Sequence, residues 1–269
     1  MCYRGIYNLR SVKDNVELTE QNRAELERCR DDIFYFIRNY VYINTINGYE
    51  LMRLTPQQEN ELNKMVEPSD QRVLSDWYRQ SGYSTLLAAY FLHTALFNND
   101  KCLYIGCPKK AIAMERIGVI REMYLKLPMW MQVPVTKWCK QYIVLNNKSR
   151  IAGIHLTYQN THGYCPDYIL FEDFGYISPK RSEDILASML PILGSSKKAH
   201  IYFDHCNVTG TSPAAKILWK SAKDWRKSTY HWYDNPELTD TWRNRKVEIL
   251  GKELFTLYYG PIERPEETK

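Results

Sequence analysis

The sequence predicts an α/β protein built on a mainly parallel β-sheet with helices on both faces. Three observations lead there. Short, almost wholly apolar runs, KCLYIGC (Lys101 to Cys107), DYILFED (Asp167 to Asp173) and HIYFDHC (His200 to Cys206), have the composition of strands buried on both faces. Helical segments at Lys109 to Leu127, Ser182 to Leu193 and Pro213 to Ala222 alternate with them, as crossover connections in a parallel sheet require. The 269 residues, 44% hydrophobic and 25% charged, suffice for one large core and exclude a disordered, collagen-like or coiled-coil chain.

Taken in order, Glu17 to about Asn39 is charged, then amphipathic, with no Gly or Pro, and reads as one helix. YVYINTINGYELMRL reads as an extended pair about Asn47-Gly48. Thr55 as N-cap and Pro56 at the first helical position start a helix through Val66. A strand at Arg72 to Trp77 follows, and Ser84 to Leu96 is too uniformly apolar for a surface helix. Beyond Cys107, Pro108 and the helix from Lys109 lead to strands QYIVLNN, IAGIHLTY and DYILFED. No repeat or low-complexity run divides the chain. The expected organisation is a helical extension at 1–50, a main domain at 51–260 and a Pro- and Glu-rich tail at 261–269.

The balance of 36 basic against 31 acidic residues, +5, permits a polyanionic partner without requiring one. Seven scattered cysteines with no C-x-x-C pair suggest free thiols in a reducing compartment. The start MCYRGIYNLR has no apolar signal core, and the longest apolar run, Leu86 to Phe97, is interrupted by His93 and too short for a bilayer, so no membrane association is expected.

In a parallel sheet of this kind, function gathers at the carboxyl ends of strands. After Trp77 comes Tyr78-Arg79-Gln80-Ser81-Gly82-Tyr83-Ser84-Thr85, a loop whose Gly precedes a Ser-Thr pair opening an apolar helix. That is the layout of a phosphate-binding loop, though a Gly before Ser-Thr serves equally as a plain N-cap. Trp77 stands where such loops have their first Gly, and Tyr83 where they have Lys. About ninety residues later an apolar strand ends in Glu172-Asp173, suited to hold magnesium and activate water, or else only a solvated edge. Together the two features point to a nucleotide-binding P-loop fold. His205 beside Asp204 and Cys206 makes no ready metal cluster, because consecutive strand residues alternate faces. Trp225, Trp232 and Trp242 interleave with Lys223, Arg226, Lys227, Arg243, Arg245 and Lys246, which suits a DNA track, with ordinary packing the plainer reading.

The order YVYIN, LTPQQE, YRQSGYST, LPMWMQ, SRIAGIHLT, GYCPDYILFEDFGYI and HIYFDHCNVTG closely resembles the ATPase domain of the large terminase subunit of tailed phages, over about residues 33–259. That resemblance implies a RecA-like P-loop ATPase fold with ATP and Mg2+ as cofactors. It makes Gln58 the adenine-contacting glutamine and Arg79, Gln80, Ser81, Gly82, Tyr83, Ser84 and Thr85 the Walker A loop, with Ser84 on the metal. Glu172 and Asp173 form the Walker B pair, Glu172 toward magnesium and Asp173 toward the attacking water, and Asp204 to Gly210 form the coupling segment. Arg79 is the only cation within the loop. The implied setting is viral DNA packaging in the cytoplasm of an infected bacterial host. Implied partners are double-stranded DNA, a portal protein, a small terminase subunit or a separate nuclease chain, and further copies in a homo-oligomeric ring.

Family members usually have Lys at the position of Tyr83, Asp-Glu where this chain has Glu172-Asp173, and Arg-Gly where it has His162-Gly163. Misplacing a reacting group by about an ångström can cost on the order of a hundredfold in rate. Hydrolysis is therefore expected to be weak or lost, and the alternative is an inactive pseudo-ATPase serving as a nucleotide- or protein-binding module. With a short tail after the resembling segment, nuclease activity is not expected.

Overall fold

The structure, a computed structural model, describes residues 7–67, 72–157, 159, 166–195, 200–204, 220, 223 and 225–264. The charged N-terminal segment forms two helices instead of one, α1 (Glu20–Asp31) and α2 (Ile33–Tyr40). Asp32 between them is extended (φ −130°, ψ 98°), and its carboxylate accepts the Tyr35 N–H at 3.0 Å. A short acidic side chain that competes for backbone N–H groups thus breaks the run and caps the second helix. Strands β1 (Tyr42–Thr45) and β2 (Gly48–Leu51) pair antiparallel with Thr45 opposite Gly48. Their two-residue turn is Ile46-Asn47, one position earlier than expected, and Gly48 supplies a φ of 100°. α3 (Pro56–Val66) begins as anticipated, with a capping box between Thr55 and Gln58.

The main sheet comprises β3 (Arg72–Trp77), β4 (Cys102–Cys107), β5 (Val135–Trp138), β6 (Tyr142–Leu145), β7 (Arg150–His155), β8 (Tyr168–Phe171), β9 (His200–Asp204) and β10 (Arg226–Tyr230). Its order is β10-β3-β9-β8-β4-β7-β6-β5. The six strands from β10 to β7 are parallel, and β6 and β5 add an antiparallel edge. The helices packed around it are α4 (Tyr83–Phe97), α5 (Lys110–Lys126), α6 (Pro179–Ser195) and α7 (Asp240–Tyr259). β5, β10 and α7 were not anticipated. The two strands lie at the sheet edges and each buries only two residues, Val135 and Trp138 in β5 and Ser228 and Tyr230 in β10, so neither has the continuous apolar run that marks a central strand. The expected helix at Pro213 to Ala222 lies outside the described residues except for Lys220, which is helical.

Alternation along the strands separates two cores. Val73, Leu103, Ile105 and Ile151 face one side with α2, α3, α4 and α5. Leu74, Tyr104, Ala152 and Phe171 face the other with Ile185, Leu186 and Met189 of α6. Helices thus cover both faces, as predicted. No helix among the described residues is long and apolar enough to cross a membrane. After β3 the chain crosses to β4, three places along the sheet, and β9 and β8 fill the gap. This separation opens a crevice at the carboxyl ends of β3 and β8.

Candidate functional site

The crevice is a cleft of about 300 Å³ lined by Trp77, Tyr78, Arg79, Gln80, Ser81, Gly82, Tyr83, Ser84, Arg116, Glu172, Asp173 and Tyr176. It unites the loop after β3 with the acids after β8. Two expected site residues lie outside its lining. Thr85 faces a smaller cavity with Tyr42, Val119 and Glu122. Gln58 holds the loop from behind: its Oε1 accepts the Thr55 N–H at 3.1 Å and its Nε2 donates to the Ser81 carbonyl at 3.0 Å.

On the loop wall, Gln80 (φ 66°) and Gly82 (φ 78°) are left-handed, the backbone conformation from which anion-binding nests are built. The left-handed φ of Gly82 is what favours glycine there, and a Cβ would lie 2.7 Å from the Gln58 amide, which would have to shift. Gly82 caps α4 without a side-chain hydrogen bond, so the positive end of that helix lies beside the cleft without a capping oxygen. Tyr83 does not project as a lysine would. Its ring is 3% exposed and stacks on Trp77 at 4.7 Å, and Trp77 packs on Tyr230 at 4.2 Å. The two departures from the phosphate-loop pattern are therefore one packing unit: with an indole at position 77, a ring at position 83 has a partner. α7 secures the front of the loop, its Tyr258 carbonyl accepting the Arg79 N–H at 2.8 Å and the Tyr259 hydroxyl donating to Gln80 Oε1 at 3.3 Å.

The acid wall is ordered around Glu172, which is 1% exposed. Its N–H continues the ladder to the Gly106 carbonyl at 2.9 Å. Arg116 Nε donates to both of its oxygens, at 2.6 and 2.7 Å, Ser84 Oγ donates to Oε1 at 2.5 Å, and the Cys107 thiol donates to Oε2 at 3.5 Å. Burial opposes the charge of Arg116, but its hydrogen bond to Glu172 and the Glu172 charge outweigh this and raise its pKa. Burial, followed by the Glu172 charge, pushes the Cys107 thiol far up, so it stays protonated and donates. Asp173 is left-handed (φ 53°) at the turn into the short 3-10 helix Phe174–Tyr176.

Sequence reasoning missed Arg116. It lies on α5 among the buried positions Ala113, Ile117 and Ile120, and a charge within an inward-facing stripe at helical spacing was the available signal. It also bears on the expected metal. Ser84 and Glu172 are oxygen donors of the type magnesium takes, but both Glu172 oxygens already accept from Arg116, one also from Ser84 and the other from Cys107. In this arrangement the pair does not present an open site to a cation. Of the coupling segment, only the Asp204 backbone is described, paired in register with Ser75, and His162-Gly163 lies outside the described residues. The aromatic and basic C-terminal stretch serves packing: Trp232 is fully buried, and with Trp242 it forms a cluster around Phe255 and Tyr259.

No known protein-family model matches the chain. Solved structures do. The HK97 bacteriophage large terminase aligns over 87% of this chain and 55% of its own, with 13% identity and a TM-score of 0.67. A mutant of the Thermus phage P74-26 large terminase ATPase domain aligns over 77% of this chain and 93% of its own, with 14% identity and a TM-score of 0.62. The large terminase of a thermophilic bacteriophage in complex with ADP aligns over 77% and 52%, with 12% identity and a TM-score of 0.58. This chain thus spans about half of the full-length terminases and nearly all of the isolated ATPase domain. At such identities the likeness is one of fold. The chain has the RecA-like fold of the phage large-terminase ATPase domain.

Proposed function

We propose that the chain is a nucleotide-binding domain of the terminase motor type, acting on viral double-stranded DNA, with ATP hydrolysis weak or lost. The observation that carries this reading is the cleft, where the left-handed Gln80 and Gly82, the uncapped start of α4 and Arg79 face the acids Glu172 and Asp173. Phosphates would lie on the first turn of α4, a ready anion site. Arg79 supplies the loop's positive charge, Asp173 is the group placed to take a proton from water, and Gln58 keeps the loop in shape. Residues 51–260 form the domain in this reading and 1–50 its extension. Support comes from a large terminase of the same fold, solved with ADP and with ATP-gamma-S.

The stacked Tyr83 and the occupied Glu172 favour a second reading, a pseudo-ATPase that binds a nucleotide or a protein without turnover. Calorimetric titration with ADP and ATP beside a steady-state turnover assay separates the two. Binding with slow turnover supports a motor with weak hydrolysis, binding with none means that hydrolysis is lost and favours the pseudo-enzyme, and no binding by the chain or its Tyr83→Lys variant refutes both phosphate-loop readings.

A further inference from the structure

Arg116 does more at this cleft than close an ion pair. It anchors through one nitrogen: Nε reaches both Glu172 oxygens, at 2.6 and 2.7 Å, and the Nη groups have no hydrogen-bond partner among the described residues. The side chain is 29% exposed and lines the cleft, whereas the carboxylate it neutralises is 1% exposed. A planar guanidinium held at its inner edge offers its outer edge as a two-pronged donor, the geometry that suits phosphate oxygens. Ser84 Oγ and the Cys107 thiol fill the remaining sides of Glu172, so nothing about that carboxylate calls for a further cation.

We propose that Arg116 stands in for the divalent cation of this cleft, neutralising Glu172 with Nε and receiving phosphate oxygens on its Nη groups, so that a nucleoside diphosphate binds without magnesium. This rests on the nucleotide reading above. The charge balance selects the diphosphate. The lining holds two cations, Arg79 and Arg116, against two acids, Glu172 and Asp173, so the formal charge is zero and only the start of α4 adds positive potential. A divalent ion would leave a surplus positive charge for a triphosphate; a single guanidinium leaves none.

The test is titration of the full chain with ADP in EDTA and again with excess magnesium. The expected result is the same affinity within about twofold in both. Tightening of about tenfold or more by magnesium would overturn the proposal and leave the nucleotide reading standing, whereas no binding under either condition overturns both. Arg116→Met should weaken ADP binding in EDTA by about tenfold or more and make binding magnesium-dependent, since Glu172 is then freed. Should that variant fail to fold, Arg116→Met combined with Glu172→Gln removes both charges together. Its ADP affinity in EDTA should fall by a similar factor, and unchanged affinity in a folded double variant would show that the Nη groups hold no phosphate.

Discussion

The two walls of the cleft depart from a lysine-and-metal phosphate site in opposite ways. On the loop wall a charge is absent and rings fill its place: Tyr83 lies on Trp77, which lies on Tyr230. On the acid wall a charge has been added, because Arg116 meets a carboxylate withdrawn from water. Ring packing carries no net charge and is hardly salt-dependent. A buried ion pair is the reverse, since either partner alone is strongly unfavourable while the two together are close to neutral. The loop wall should therefore respond to volume and the acid wall to charge.

The largest effect is expected on the acid wall. Arg116→Met strands Glu172 without its counter-charge and should cost about 3–5 kcal/mol in urea unfolding. Adding Glu172→Gln to Arg116→Met should recover much of that loss, because the pair's net worth is small even though each half depends on the other. Additive losses would show that the two do not act as a unit and would erase the contrast between the walls.

Acid titration sharpens the contrast once a group remote from the cleft is accounted for. His93 on α4 is largely buried beside Phe36 and Phe97, its Nε2 lies 2.8 Å from the Cys29 carbonyl, and Asp32 is the nearby acid. A carbonyl only accepts, so Nε2 carries the hydrogen, and burial favours the neutral ring. Burial pushes its pKa from 6.5 down to about 4, only partly opposed by that hydrogen bond and Asp32. Between these values the unfolded chain binds a proton that the folded chain does not. Stability should thus fall as pH drops from 6.5 toward 4, by about 3 kcal/mol at the lower end. Urea unfolding of His93→Gln at pH 7, 5.5 and 4.5 should show a shallower loss, and an unchanged slope would place the acid sensitivity elsewhere.

The loop wall was more legible in the sequence than the acid wall, for a physical reason. The Thr55 cap, the strand before Trp77 and the Gly82-Tyr83-Ser84 turn are local patterns, each fixed by neighbouring residues, and the structure keeps all of them. Glu172-Asp173 was legible as the end of a buried strand. What occupies Glu172 was not, since Arg116 lies fifty-six positions away and its partner is chosen only when α5 packs on the sheet. β10 and the Tyr258 and Tyr259 contacts were hidden for the same reason: edge pairing and helix docking depend on distant chain, and the rings and cations of α7 resemble a surface until Phe255 and Trp232 meet. The break at Asp32 was local and readable, being an N-cap residue ahead of an apolar helix.

On the loop wall, Tyr83→Lys replaces a stacked ring with a chain whose charge must reach water. The loss of stacking and buried area should cost about 2 kcal/mol in thermal or urea unfolding, less than for Arg116→Met because the lysine stem keeps some contact with Trp77. The same variant should bind ADP more tightly, because position 83 lines the cleft and a lysine ammonium there can turn toward it. A destabilised variant with unchanged affinity would mean that this position no longer faces phosphate.

The smallest expected effect tests whether the loop wall is held from outside the cleft. Gln58 is 5% exposed, and its amide bridges the Thr55 N–H and the Ser81 carbonyl, linking the start of α3 to the turn before α4. Gln58→Ala removes one half of the capping box and the brace together, and should cost about 1–2 kcal/mol. It also leaves the ring stack and the Glu172 pair intact, so the change should be local. Hydrogen exchange should speed up at the loop from Arg79 to Gly82 and stay unchanged at Glu172, whose N–H bonds to Gly106 in the sheet. Gln58→Glu separates the two contacts: its carboxylate still accepts from Thr55 but cannot donate to Ser81, so the loop protection should fall as it does in Gln58→Ala. Loop protection unchanged from the parent chain in both variants would show that the loop keeps its shape through Gly82 and α7 alone.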